Sequence, residues 1–138
     1  MKNLFTFMML LIGGMLMAQN NQITQTKTES SKAAITWEKT KHDFGKIPQG
    51  KPVTITYEFT NSGTGPLIIA SVNPSCGCTT NDFTKSSIAP GKKGFITLTY
   101  NAAVIGNFTK SATVNTNADP GQIILYFNGE VLAETASN

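Results

Sequence analysis

Three features of the 138-residue sequence predict an all-β sandwich. Apolar residues recur with a period of two rather than 3.6, which buries one face of each segment and wets the other. Clusters of Gly, Pro, Asn and Asp interrupt these segments at short intervals, as chain reversals require. The composition leans towards Thr, Asn, Gly and Ser, with 40% hydrophobic and only 14% charged residues. That balance favours strands and turns over helices.

Taken in order, the stretch from Ile35 to Ile47 holds two short strands around Trp37 and Phe44. Val53, Ile55, Tyr57 and Phe59 then alternate with Thr54, Thr56, Glu58 and Thr60. Leu67 to Val72 is a continuous apolar run, and Ile96, Leu98 and Tyr100 alternate with Thr97 and Thr99. Phe108, Ala112 and Val114 make a weaker stripe that Lys110 interrupts. Ile123, Leu125, Phe127 and Val131 form the last, with Ile124 and Tyr126 on its reverse side. Turns lie at Asn61–Pro66, Ala89–Gly94 and Asn117–Gly121, and no stretch after Ala33 keeps a helical period. Short strands at this spacing predict an immunoglobulin-like β-sandwich, with a small barrel as the alternative. Both cysteines lie together and Trp37 precedes them, so the core holds without an inter-sheet disulfide. Phe95, Ile124 and Tyr126 fall out of phase with their stripes and either form an exposed apolar patch or fill the second face of a strand covered on both sides. Burial of some of them is expected, because so small a sandwich needs most of its large apolar side chains.

The chain opens with Lys2, an apolar run of 14 residues from Leu4 to Met17, and Ala18. This is the pattern of a secretory signal peptide. The run is short of the ~20 residues a membrane-spanning helix needs, so no transmembrane anchor is expected in the mature chain. No Cys lies near the cut to carry a lipid. The expected organisation is a signal peptide over 1–18, a flexible polar leader over 19–33, the sandwich over 34–133 and a tail over 134–138. Export to the bacterial periplasm or the cell exterior follows. Losing Lys2 leaves 10 Lys against 8 acids, a net charge of +2. Scattered lysines at that charge leave no electrostatic footprint for nucleic acid.

Several blocks then stand in a distinctive order. They are His42–Ile47 (HDFGKI), Tyr57–Gly63 (YEFTNSG), Pro66–Ile69, Ser75–Thr79 (SCGCT), Ile88–Gly91 (IAPG), Asn115–Asn117 and Gly129–Val131. Over roughly residues 36 to 131 the chain resembles the bacterial family known as domain of unknown function 1573, with Ser-Cys-Gly-Cys-Thr the most telling block. The resemblance implies a secreted, seven-stranded sandwich, and it implies no activity.

Cys76 and Cys78 are the two cysteines, with Gly77 between them. In an extended segment the i and i+2 side chains share a face, and Gly77 lets the backbone bend to bring the sulfurs together. A structural disulfide suits an oxidising compartment, though so small a ring adds little chain-entropy stability. An exposed, strained disulfide instead suits thiol-redox exchange. A pair of thiolates suits a soft ion such as Cu(I), whereas zinc normally needs four ligands and only His42 could add a third. Reduced or intermolecularly bridged cysteines complete the alternatives.

Beyond its place as metal candidate, His42 reads as a partly exposed polar residue at a strand start. Asp43 reads as capping a turn with Phe44 and Gly45. Glu58, Asp82, Asp119 and Glu130 are dispersed, so no carboxylate pair is set up for glycoside chemistry. The serines have no base beyond His42, so no catalytic residue, no cofactor and no enzyme are expected. Asn107-Phe108-Thr109 matches a glycosylation acceptor, a short pattern that arises often by chance. The expected function is an exported, non-catalytic sandwich that binds another protein or an envelope component. The alternative is a copper- or zinc-binding or thiol-redox protein using Cys76 and Cys78.

Overall fold

The computed structural model describes residues 30–134. The predicted signal peptide, all but the end of the predicted leader, and the tail beyond Glu134 lie outside the described residues. Eight strands form: β1 (Ile35–Trp37), β2 (Lys41–Pro48), β3 (Val53–Asn61), β4 (Ile69–Pro74), β5 (Thr79–Phe83), β6 (Lys93–Tyr100), β7 (Gly106–Thr116) and β8 (Gln122–Leu132). They make two four-stranded sheets, ordered β1-β3-β6-β5 and β2-β8-β7-β4. The expected seven strands become eight through β5, whose sequence Thr-Thr-Asn-Asp-Phe carries almost no apolar signal. Only Thr79 and Phe83 are drawn inward, and β5 exists because it pairs along the open side of β6. Tertiary pairing overrides a weak local pattern there.

The alternating stripes become the core. Ile55, Tyr57 and Phe59 of β3 and Ile96, Leu98 and Tyr100 of β6 face Phe108, Ala112 and Val114 of β7 and Leu125, Phe127 and Val131 of β8. Burying each large apolar side chain contributes roughly 1.5–3 kcal/mol, and these residues supply most of what holds the layers together. Their reverse sides carry polar ladders, including Thr54–Thr99 at 2.9 Å and Thr56–Thr97 at 3.1 Å. Leu67 and Ile88, joined by an isolated bridge, close one end. The run Leu67–Val72 is half strand and half approach, with Ile68 turned out to solvent.

Phe95, Ile124 and Tyr126 correct the expectation that some of them are buried. They are 40%, 40% and 39% exposed, on the outer face of one sheet or the other. A two-layer sandwich has one interior, so a side chain out of phase with the core stripe meets water whatever its size.

The chain changes sheets early. β1 pairs antiparallel with β3, and β2 then crosses over to run parallel to β8. A bulge between Asp43 and Lys46 bends β2, and Gly45 takes φ +67° to form it. The Asp43 carboxylate accepts the Gly45 N–H at 2.8 Å, the turn-capping role expected of it.

Between the sheets, the buried Tyr57 hydroxyl donates to the Tyr126 carbonyl at 2.6 Å. Burial pushes that phenol's pKa up to about 12. At the end near Leu67 two asparagines hold the loops. Asn61, fully buried, donates through Nδ2 to the carbonyls of Gly65 and Ile88, both at 2.8 Å, and accepts the Gly63 N–H at 3.0 Å. Asn117 accepts the Ile68 N–H at 2.8 Å and donates to the Pro66 carbonyl at 2.9 Å.

Candidate functional site

Cys76 and Cys78 are joined as a disulfide at the opposite end, with Cα atoms 5.3 Å apart. The segment is a turn rather than the extended strand that residue spacing suggests. Thr79 N–H donates to the Cys76 carbonyl at 3.3 Å, and this reversal lets neighbouring sulfurs meet. Gly77 sits exposed at the apex, where an added Cβ would meet open space. The turn carries the chain from β4 in one sheet to β5 in the other, so the bond clips the point where the layers exchange. Both cysteines are half-buried.

His42 is far from this turn. It lies on β2 while the turn follows β4, and three inter-strand spacings separate the two edges, about 14 Å. Its ring stacks edge-on against Phe44 at 4.5 Å, and Phe44 in turn meets Phe127 at 5.9 Å. Burial lowers the imidazole pKa, Lys39 lowers it further, and Asp43 opposes both. The structure therefore does not bring the three candidate ligands together. Among the described residues no group of three His, Cys, Asp or Glu side chains could hold a metal ion.

What does surround the disulfide is apolar. The loop between β6 and β7 runs beside the Cys turn, tied to it by Asn101 N–H donating to the Cys78 carbonyl at 3.0 Å. Gly50 N–H donates to the Ala102 carbonyl at 2.9 Å, and the Gln49 amide to the Ala103 carbonyl at 3.0 Å. Ala102, fully buried, is held at φ +53°, a conformation rare for a residue with a Cβ. Three anchors and one constrained residue thus hold the loop while Val104 and Ile105, 72% and 54% exposed, project from it.

Between this loop, the Cys turn and β7 lies a cleft of about 480 Å³. Cys78 and Asn101 form one wall, and Tyr100 and Phe108, with ring centroids 4.5 Å apart, line its base. Lys110 is the one charged side chain lining it. Sequence reasoning passes over Val104 and Ile105. The signal available is the unalternating run Ala102-Ala103-Val104-Ile105 between two strands, too short for a core element and too apolar for an ordinary loop. In the sequence Lys110 shows only as a break in a stripe, and that break is where the cleft opens.

The family model described as protein of unknown function (DUF1573) matches residues 35–131. No curated protein matches the sequence. Among solved structures, the chain is similar to a protein of unknown function from Porphyromonas gingivalis W83, with TM-score 0.63 and 17% identity over 72% of this chain and 47% of that one. The chain thus spans about half the length of that relative. It is also similar to an ASH/PapD-like domain of human CEP192, with TM-score 0.56 and 12% identity over 76% of this chain and 88% of that one. A third similarity is to the secreted serine protease VesC from Vibrio cholerae, with TM-score 0.52 and 13% identity, covering 75% of this chain and 24% of that one. At these identities the likeness establishes an immunoglobulin-like fold and nothing further.

Proposed function

The chain belongs to the DUF1573 family, and from that premise we propose an exported, non-catalytic module that binds a protein partner through its Cys76–Cys78 end. The observation that carries this reading is the pairing of exposed Val104 and Ile105 with the adjoining cleft, on a loop pinned by three hydrogen bonds. A free loop would fold such side chains inward. Holding them out in a fixed conformation lowers the ordering entropy that a partner must overcome. Export is supported by the Lys2, Leu4–Met17 and Ala18 pattern, and a bonded cysteine pair is at home in an oxidising compartment. The separation of His42 from the Cys turn weighs against a metal site built on Cys76, Cys78 and His42.

Photo-crosslinking tests this in the natural host, with the reactive side chain placed at Val104 or Ile105 and controls at Phe95 and Ile124. Discrete adducts at the loop and none at the controls are expected. Equal labelling at all four positions, or none, would overturn the proposal. The second reading, thiol-redox exchange, is favoured by the half-exposed Cys76–Cys78 bond beside an open cleft, whereas Cu(I) binding would first need a reductant to open that bond to two thiolates. It requires loop adducts or metal uptake to vanish when both cysteines become serine, whereas the binding reading tolerates that change.

A further inference from the structure

The cleft is bordered by an unfinished sheet edge. β7 pairs with β8 without interruption from Gly106 to Asn115. On its other side β4 covers only Ala112–Thr116, and Ser75 adds two further contacts, donating its N–H to the Ser111 carbonyl at 2.8 Å and accepting the Ser111 N–H on its hydroxyl at 3.2 Å. In an antiparallel ladder alternate residues direct both N–H and C=O to the same neighbour. Ser111 faces the β4 side, so Thr109 and Asn107 face it too, where β4 has already ended. No hydrogen bond fills that edge among the described residues. Asn107, Phe108, Thr109 and Lys110 all border the cleft.

We propose that this edge binds the C-terminal end of a partner polypeptide as an added strand, with an apolar last side chain and a free carboxylate. This rests on the binding reading above and gives its partner a chemistry. The backbones of Asn107 and Thr109 supply two sets of main-chain hydrogen bonds, the mode by which extended peptides join open sheet edges. An inward-pointing peptide side chain meets the Tyr100 and Phe108 rings and is shielded by Val104 and Ile105. The slot ends where the Cys76–Cys78 turn crosses between the sheets, so an added strand must stop there. Lys110 fixes which terminus stops. It alternates inward with Phe108 and Ala112, lines the cleft, and makes no ion pair among the described residues. No acidic side chain lines the cleft beside it. A carboxylate at the closed end satisfies this cation, whereas an amino terminus is repelled, so the guest strand runs parallel to β7.

The probe is a pool of hexapeptides, randomised at five positions and ending in Val, Leu, Ile or Phe, passed over the immobilised folded protein as free acids or as C-terminal amides. Retention of the acids about tenfold above the amides is expected, the scale of a charge-assisted hydrogen bond of about 1.4 kcal/mol. Slowed hydrogen exchange at the Asn107 and Thr109 amides should accompany it. Lys110→Met should erase the difference between acid and amide. Thr109→Pro removes an N–H that no neighbouring strand uses, so it should keep the fold and lose the peptides. Equal retention of both pools, or retention of neither, overturns the proposal, as does binding of decanoate with no protection of those two amides. Loop crosslinks at Val104 that persist without peptide retention would sink this inference and leave the binding reading standing. Loss of both would sink both.

Discussion

At the Asn61 end of the sandwich, amide side chains hold three loops by hydrogen bonds and apolar groups are tucked beneath them. At the Cys76–Cys78 end a disulfide, two backbone hydrogen bonds and the Gln49 side-chain amide fix the loops, and apolar side chains are left outside. Leu67, Ile88 and Ala118 are buried at the first end, where Ile68 turns outward, whereas Val104, Ile105 and Leu132 are all exposed at the second. The first end holds its loop backbone through the amides of Asn61 and Asn117. The second is equally well fixed and leaves apolar surface uncovered. Rigidity without concealment is what the proposed binding role asks of a surface.

Substitutions can break this contrast, and the largest effect on stability should come from the concealed end. Asn61→Ala strands two carbonyls and one N–H in the interior and should cost about 3–4 kcal/mol in urea denaturation. Crosslinking at Val104, measured where the variant is still folded, should be unchanged. A loss below about 1 kcal/mol would mean that water replaces the amide and that the two ends are less different than they look.

Next in size is the hydroxyl between the sheets. Unfolded Tyr57 titrates near ~10, whereas burial holds the folded phenol at about 12. Above pH 10 the unfolded chain releases a proton that the folded protein keeps, so this contribution is full below pH 10 and is lost as pH rises through 12. The loss should approach about 2 kcal/mol, and Tyr57→Phe should show a shallower decline over that window. Parallel curves for the two proteins would remove Tyr57 as the source.

Replacing both Cys76 and Cys78 by Ser should cost roughly 1.5 kcal/mol, because the loop they close is so short. A much greater loss would make the turn a structural element of the same kind as the Asn61 end. The smallest effect belongs to Val104→Ser with Ile105→Ser, which should change stability by less than about 0.5 kcal/mol while abolishing partner adducts from a crosslinker moved to the neighbouring exposed Ala103. Clear destabilisation would show that the exposed pair packs against something in the chain itself.

The sandwich is legible in the sequence because alternation is dense: Val53 to Phe59 and Ile96 to Tyr100 leave little choice of face. β5 is not, since Thr79–Phe83 is a strand by virtue of its neighbour β6 and not of its own side chains. The cysteines are visible as a pair, but whether their backbone extends or turns depends on the crossing between sheets, which local spacing does not encode. His42 can be named as a ligand candidate and not placed, because the separation of β2 from β4 is a property of strand order. The open edge of β7 is harder still. It comes from one strand being longer than its neighbour, which emerges only when both are laid side by side.

The parallel pairing of β2 with β8 has a mechanical meaning. The chain enters at one end of this six-rung ladder and leaves from the other. Tension applied between the two ends of the domain, once the three-residue β1 has let go, therefore slides one strand along the other and loads all the rungs together. The same domain gripped on adjacent ends of β7 and β8 would unzip, each rung breaking before the next is strained. Pulling single molecules through those two attachments should give a markedly higher rupture force for the first, so a module tethered at one terminus and tugged at the other would keep its Cys76–Cys78 end in shape under load.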